Sequence, residues 1–127
     1  MNISTVITED LEIRTLRFTK STVFLTEYIE DSIHNKEFIK RIVTSVSNIG
    51  VNYLHAKEAC NEKEFLLKIK ICNRDISETL YWLKLIRDTN SLWGNGHLKC
   101  LINECLELEN IFKVLKAKPK AFLKAVH

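Results

Sequence analysis

The stretch FLLKIKICNRDISETLYWLKLI, residues 65–86, carries the clearest periodicity of the 127-residue chain. Apolar or small residues recur along it in alternating steps of four and three, which is the spacing of a helix face that packs between antiparallel neighbours. These positions are Phe65, Ile69, Cys72, Ile76, Thr79, Leu83 and Ile86. Just upstream, Asn61 and Glu64 have the spacing of a capping box. The pattern therefore predicts a long helix over residues 62–87.

A second line of residues runs along the opposite side of this predicted helix, about 160° to 240° around the helical wheel from the first line. It comprises Leu67, Ile71, Arg74, Glu78, Tyr81 and Leu85, with Trp82 at its edge. One apolar face is sufficient for packing inside a bundle, so a second face must be buried deep in the same fold or against another copy of the protein. We expect another copy, which makes the protein an oligomer. The predicted interface residues are Leu67, Ile71, Tyr81, Trp82 and Leu85.

The preceding segment has the pattern of a second amphipathic helix, over residues 36–59, with Asn35 as its cap. Its apolar face comprises Ile39, Ile42, Val43, Val46, Ile49, Gly50, Tyr53 and Leu54. Gly50 projects within about 20° of Ile39, at the centre of this face. Glycine costs about 1 kcal/mol relative to alanine inside a helix. Its position therefore predicts the close approach of another helix, with a kink as the alternative.

Two further helices flank this pair. Thr8 is the predicted cap of a first helix over residues 9–33. Its apolar line comprises Leu11, Phe18 and Leu25, extended by Ile29 and Ile33. Residues 88–96 form a turn-rich loop, in which Trp93 is expected to pack over an end of the bundle. A fourth helix, residues 97–117, is followed by Pro119 and a basic tail, residues 118–127. Its apolar face comprises Leu98, Leu101, Ile102, Cys105, Leu108, Phe112 and Leu115.

Composition favours one all-α domain over residues 1–127. Three glycines and one proline are too few for the frequent turns of an all-β fold. Four helices with short connections predict an antiparallel up-down-up-down four-helix bundle. The four cysteines have no CxxC spacing and are expected to be reduced and mostly buried, with disulfides or a metal site as the alternative. Neither a secretion signal nor a membrane span is recognisable, so we expect a cytoplasmic protein with no membrane partner.

The sequence resembles the four-helix-bundle proteins encoded by intervening sequences of bacterial 23S ribosomal RNA genes. The likeness rests on SNIGVNYLHA at residues 47–56 and ETLYWL at residues 78–83, and on shorter matches between them. These shorter matches are Glu64-Phe65, Lys68-Ile69 and Ile71-Cys72. The similarity is close over residues 44–86 and loose over most of the remaining chain.

This resemblance implies a left-handed bundle that assembles into a homopentameric ring. It also implies a basic surface that binds nucleic acid, and no enzymatic activity. His55, Asn73 and Ile76 depart from the family pattern, in which glutamate, leucine and alanine are usual at those positions. His55 also changes the charge at its position, so a polar contact made by the family's glutamate is not carried over to this chain.

Charge is unevenly distributed along the chain. Residues 1–35 hold six acidic and three basic side chains, a net charge of −3, whereas residues 113–127 hold five lysines and no acidic residue, a net charge of +5. The candidate RNA-binding residues are Arg41, Arg74, Lys113, Lys116, Lys118, Lys120 and Lys124. The alternative is a solvated terminus whose lysines suit the helix dipole. Ser45, Asn48 and Asn52 share a line with Arg41, predicted to be solvated or, second, a subunit or RNA contact.

No group of residues indicates catalysis. The four histidines lie on different segments, and none is paired at i,i+4 with another ligand type. Glu104 and Glu107 share a helix face as in di-iron bundles, but the ExxH element is absent. We therefore expect a protein without enzymatic activity, cofactor or metal.

Two functions remain open. The favoured one is an oligomeric bundle that binds RNA or a ribonucleoprotein through its basic surface. The alternative is a protein–protein adaptor that holds a protein partner on the second face of the third helix or at a ring opening. The reverse-transcriptase accessory proteins of diversity-generating retroelements, which are distantly similar, act in that way.

Overall fold

The computed structural model describes residues 10–126, and this part of the chain contains five α-helices and no β-strand. The helices are α1 (Leu11–Thr26), α2 (Ile33–Lys57), α3 (Glu62–Thr89), α4 (Gly96–Ala117) and α5 (Pro119–Val126). α2 packs between α1 and α3, and α4 packs against both α3 and α1. The predicted all-helical architecture is confirmed, with one helix more than expected.

Helices α1 and α2 run antiparallel and approach each other closely at Gly50. The Lys57 ammonium at the end of α2 lies 2.7 Å from the Glu12 carboxylate at the start of α1. Further along, a Cβ on Gly50 would lie 3.2 Å from the Oγ1 atom of Thr15. The close approach predicted from Gly50 is therefore confirmed.

Helices α2 and α3 form a second antiparallel pair, joined by buried polar side chains. The Asn35 and Asn90 amides exchange hydrogen bonds of 2.8 and 2.9 Å at one end of the pair. The Ser45 and Thr79 hydroxyl groups are hydrogen-bonded at 2.9 Å near its middle. Ser45, predicted to be solvated, is 2% exposed, so that prediction is wrong. Asn35, predicted to cap α2, lies inside the helix and is also 2% exposed, so that prediction is wrong too. The cap of α2 is Ser32, whose Oγ accepts a backbone hydrogen bond at 3.1 Å.

The first apolar line of α3 lies at the centre of the core. All seven of its predicted positions are fully buried, and the seven predicted positions of α4 are buried, with Ile102 the most exposed of them at 9%. Asn61 caps α3 by accepting a hydrogen bond from the Glu64 amide at 2.8 Å. The Glu64 carboxylate in turn accepts from the Cys60 amide at 3.2 Å, which completes the capping arrangement. These predictions are confirmed.

Helix α1 is shorter than predicted. Asp10 caps it by accepting two backbone hydrogen bonds at 3.0 and 3.3 Å, and the predicted cap Thr8 lies outside the described residues. The helix ends at Thr26, whose hydroxyl donates to the Val23 carbonyl at 2.6 Å and so competes for a backbone acceptor. Ile33 consequently begins α2 and is 91% exposed, so its predicted place on the α1 core line is wrong.

The predicted basic tail is helical from residue 119 to 126. Pro119 occupies the first position of α5, where its missing N–H is tolerated. Phe122 is buried and stacks on Phe65, with 5.2 Å between the ring centroids. Its ring also lies 6.4 Å from that of Tyr53. Helix α5 therefore covers the end of the bundle where α2 ends and α3 begins.

Two other predictions need correction. Trp93 does not pack over the bundle end: it is 58% exposed, with the Arg87 guanidinium 3.5 Å from its ring centroid. All four cysteines are free, but only Cys72 and Cys105 are buried. Burial raises the pKa of both buried thiols to about 12, so they remain protonated.

Candidate binding surfaces

The five C-terminal lysines lie at one end of the bundle, which we call the lysine end. They are Lys113, Lys116, Lys118, Lys120 and Lys124. Lys113 lies 3.5 Å from Glu109, and Lys120 lies 3.9 Å from Glu62; both are solvent-exposed pairs of the kind that contributes little to stability. Among residues 10–126, no carboxylate lies within ion-pair distance of the other three lysines. The lysine end is therefore available to a polyanion.

The two candidate arginines lie away from the lysine end. Arg41 donates to the Glu37 carboxylate at 2.8 Å, and this contact lowers the pKa of Glu37. Twelve residues separate Arg41 from Tyr53, which is about 18 Å along α2. Arg74 is exposed on α3, about 14 Å along the helix from Phe65. The structure thus groups the lysines but does not add the arginines to them.

Apolar residues are exposed along the outer face of α3, as the sequence predicted. Leu67 is 58% exposed and Tyr81 is 61% exposed, whereas Ile71, Trp82 and Leu85 are half-buried. Trp82 packs on Tyr81 at 5.2 Å between ring centroids and on Phe38 of α2 at 6.0 Å. A single copy therefore leaves this face accessible. Its role as a subunit interface stays a prediction.

A second exposed apolar surface lies between α1 and α2. This α1/α2 groove has a volume of about 410 Å³. Its exposed apolar walls are Ile13, Leu16, Val51 and Leu54, and its polar lining includes Thr15, Thr19 and Ser47. Gly50 also lines it, since the absent side chain opens the space between the helices. Sequence reasoning missed this groove, although Leu16 and Val51 lie off the predicted core lines and gave a signal.

The acidic pair on α4 is engaged in an ion-pair network with α1. Arg14 donates two hydrogen bonds to Glu104, at 2.9 and 2.7 Å, and one to Glu107 at 2.7 Å. Such bidentate pairing is strong and directional. Within residues 10–126, no group of three or more His, Cys, Asp or Glu side chains is arranged to hold a metal ion. The two glutamates therefore link α4 to α1.

Asp75 is a buried carboxylate near the interface between α2 and α3. It is 3% exposed, and among the described residues no group hydrogen-bonds to its Oδ2 atom. Burial raises the pKa of Asp75, although the neighbouring Arg74 partly opposes this shift. The Asp75 charge also contributes to the raised pKa of the buried Cys72 thiol, and the observable consequence of its own burial is on folding stability.

No protein-family model and no curated protein matches the chain. Among solved structures, the chain is similar to a protein of unknown function from the S23 ribosomal protein family of Bacteroides thetaiotaomicron. The TM-score is 0.72 at 22% sequence identity, and the alignment covers 83% of this chain and 96% of that chain. This likeness supports the helical-bundle fold and leaves function to be argued from the surfaces. No helix within residues 10–126 combines the length and apolarity needed to cross a bilayer.

Proposed function

We propose that this chain is a non-enzymatic binding protein of the ribosomal RNA intervening-sequence type, which self-associates and binds RNA through its lysine end. In this proposal the four long helices form a left-handed up-down-up-down bundle in the cytoplasm, and the copies form a homopentameric ring. The observation that carries the RNA proposal is the packing of α5. Because Phe122 is buried, Lys120 and Lys124 are held on a docked helix beside the lysines at the end of α4.

The lysine end has the chemistry for binding phosphate groups. Each lysine that contacts a phosphate releases condensed counterions, so the affinity for RNA should fall steeply as salt rises. A single chain with a formal net charge of +3 is only mildly basic. Several copies with their lysine ends on the same side would give a much stronger local positive potential.

A salt titration with structured RNA tests this proposal. We expect log affinity to fall linearly with log salt, and the triple variant K116E/K118E/K120E to lose binding. The matched control K36E/K84E/K99E makes the same change in net charge at the opposite end of the bundle and should retain most of the binding. Absence of binding at low salt, or equal loss in the two variants, would contradict RNA binding at the lysine end.

The second candidate is a protein–protein adaptor, and the exposed apolar surfaces favour it. The outer face of α3 and the α1/α2 groove are both suited to a protein partner, such as the reverse transcriptase of a diversity-generating retroelement. The genomic neighbourhood distinguishes the two candidates. A reading frame inside a ribosomal RNA gene favours the first candidate, and one beside a reverse transcriptase favours the second.

A further inference from the structure

We infer that the outer face of α3 in one copy of this chain docks into the α1/α2 groove of the next copy, with the two bundles parallel. The inference rests on the self-association in the proposed function. It adds which two surfaces meet and how they are oriented.

The two surfaces lie on different sides of the chain. Helix α3 packs mainly against α2 and α4, so its outer face points away from α1 and the groove beside it. A contact between two different surfaces is heterologous, and repeating it generates a ring or a filament rather than a twofold dimer. Each copy would then cover one neighbour's groove with its α3 face and have its own groove covered by another.

The charges along the two surfaces are complementary when the bundles are parallel. Near the lysine end, Lys63 and Lys70 flank Leu67 on α3, with one carboxylate, Glu64, beside them. On the other surface, Glu12 lines the groove and Glu58 is exposed about one turn beyond Leu54. Lys63, Lys70, Glu12 and Glu58 are all exposed, although Glu12 already pairs with Lys57 of the same chain. An antiparallel arrangement would instead place Lys63 and Lys70 at the opposite end of the contact from the two acidic residues.

At the other end of each surface the charges are reversed, with an acidic residue on α3 and a basic residue beside the groove. Glu78 is exposed on α3, eleven residues or about 16 Å beyond Leu67. On the groove side, exposed Lys20 follows Thr19, whose hydroxyl donates to the Val46 carbonyl. That contact places Lys20 about 14 Å beyond Leu54.

The distance from the apolar residue to the charged residue at the far end is therefore similar on the two surfaces: about 16 Å on α3 and about 14 Å beside the groove. If Leu67 packs beside Leu54, Glu78 comes level with Lys20, and Lys63 comes near Glu58. This register pairs opposite charges at both ends of the contact. It also fixes the bundles as parallel, because reversing one bundle would place Glu78 beside Glu58.

Two single variants, Val51→Asp and Leu67→Asp, test the inference by complementation. Val51 is 49% exposed and Leu67 is 58% exposed, so both changes leave the core intact. Val51→Asp blocks the groove and keeps the α3 face, whereas Leu67→Asp does the reverse. We expect each variant to be a folded monomer by circular dichroism and light scattering. An equimolar mixture should form a 1:1 dimer, because it contains one intact groove and one intact α3 face.

Ile33→Asp provides the matched control, since Ile33 is 91% exposed and lies outside both surfaces. It should assemble like the unmodified protein. Continued assembly of Val51→Asp alone would overturn the heterologous contact, as would an equimolar mixture of the two folded variants that stays monomeric. A monomeric unmodified protein would overturn self-association as a whole. In each case the RNA titration of the lysine end still reports independently on RNA binding.

Charge reversal tests the parallel register. Glu58→Lys and Lys63→Glu should each raise the dissociation constant for assembly by about tenfold, and the double variant should recover most of that loss. A double variant that is weaker than either single variant would contradict the pairing of these two residues.

Discussion

Gly50 shows how one absent side chain shapes both the core and the surface. An added Cβ would lie 3.2 Å from Thr15 Oγ1, and that hydroxyl is held by a 2.6 Å hydrogen bond to the Leu11 carbonyl. Thr15 therefore has little freedom to move away. The glycine allows α1 and α2 to approach and leaves open the floor of the groove between them.

A double-mutant cycle measures this close approach. Gly50→Ala should be neutral or destabilising in the unmodified protein, because the helix-propensity gain of about 1 kcal/mol is offset by crowding against Thr15. In a Thr15→Ala background, the same change should stabilise by about 1 kcal/mol. The measurement is urea denaturation of the four proteins. Equal effects in the two backgrounds would mean that Thr15 does not restrict position 50.

Asp75 should make the stability of the protein depend on pH. Its pKa is raised in the folded state, so the folded chain holds the proton more tightly than the unfolded chain does. Stability is therefore greatest when the carboxyl is protonated, and it falls as pH rises from the unfolded value near 3.8 through the folded value. Above that window, an ionised and partly unsatisfied buried carboxylate remains in the core.

Replacing Asp75 with asparagine removes the ionisation and keeps the shape. We expect Asp75→Asn to be more stable than the unmodified protein at pH 7 by about 1 kcal/mol, and the difference to narrow toward pH 4. Urea denaturation across this pH range measures the difference. Asp31→Asn, at an exposed site, is the control and should show no comparable narrowing. A difference in unfolding free energy between Asp75→Asn and the unmodified protein that stays constant with pH would show that Asp75 does not titrate as proposed.

The sequence correctly predicted which residues are buried wherever burial follows the period of the helix. All seven core positions of α3 were placed correctly, because a continuous apolar line on a long helix admits one buried face. Asn35 and Ser45 were misplaced, because their burial depends on Asn90 and Thr79 from another helix. Local spacing does not encode such cross-helix hydrogen bonds.

At the scale of elements, α5 is the helix that the sequence did not predict. It has eight residues, and an isolated helix of that length is marginal in water. Its stability in the protein comes from Phe122, which packs on rings contributed by α2 and α3. Those rings come from distant positions, so the residues of the tail alone could not indicate a docked helix.

Phe122→Ala should release α5 from the bundle. Removing a buried phenylalanine costs about 3 kcal/mol or more when the site cannot collapse. We expect a loss of stability of that size, together with loss of hydrogen-exchange protection for the amides of residues 122–126, the first of which donates to the Lys118 carbonyl. Leu123→Ala, at a half-buried position, is the control and should have a smaller effect. Amides that remain protected in Phe122→Ala would show that α5 is held by other contacts.

At the scale of the whole molecule, the sequence predicted the fold class and the apolar outer face of α3 but missed the α1/α2 groove. The second line of α3 was visible because all its residues belong to one helix. The α1/α2 groove depends on how two helices are rotated against each other, with Leu16 contributed by one and Val51 by the other. The grouping of the lysines at one end similarly required the position of α5, which only tertiary packing defines.

The proposed contact and the proposed RNA site predict coupling between assembly and RNA binding. Parallel bundles place the lysine ends of all copies on one side of the assembly, so a long RNA could contact several of them at once. One copy contributes Lys116, Lys118 and Lys124, the three lysines of this end without a carboxylate at ion-pair distance among residues 10–126. For about three phosphate contacts, the slope of log affinity against log salt is about −2 to −3.

The assembled protein should therefore show a steeper slope than monomeric Val51→Asp on a long RNA, and a similar slope on an RNA too short to span two copies. Fluorescence anisotropy at several salt concentrations measures both slopes. Because Val51 lines the groove and is not one of the five lysines, its substitution changes the number of linked copies and keeps all five lysines of each copy. Equal slopes for the two proteins on the long RNA would show that the lysine ends act singly and would contradict the coupling between assembly and RNA binding.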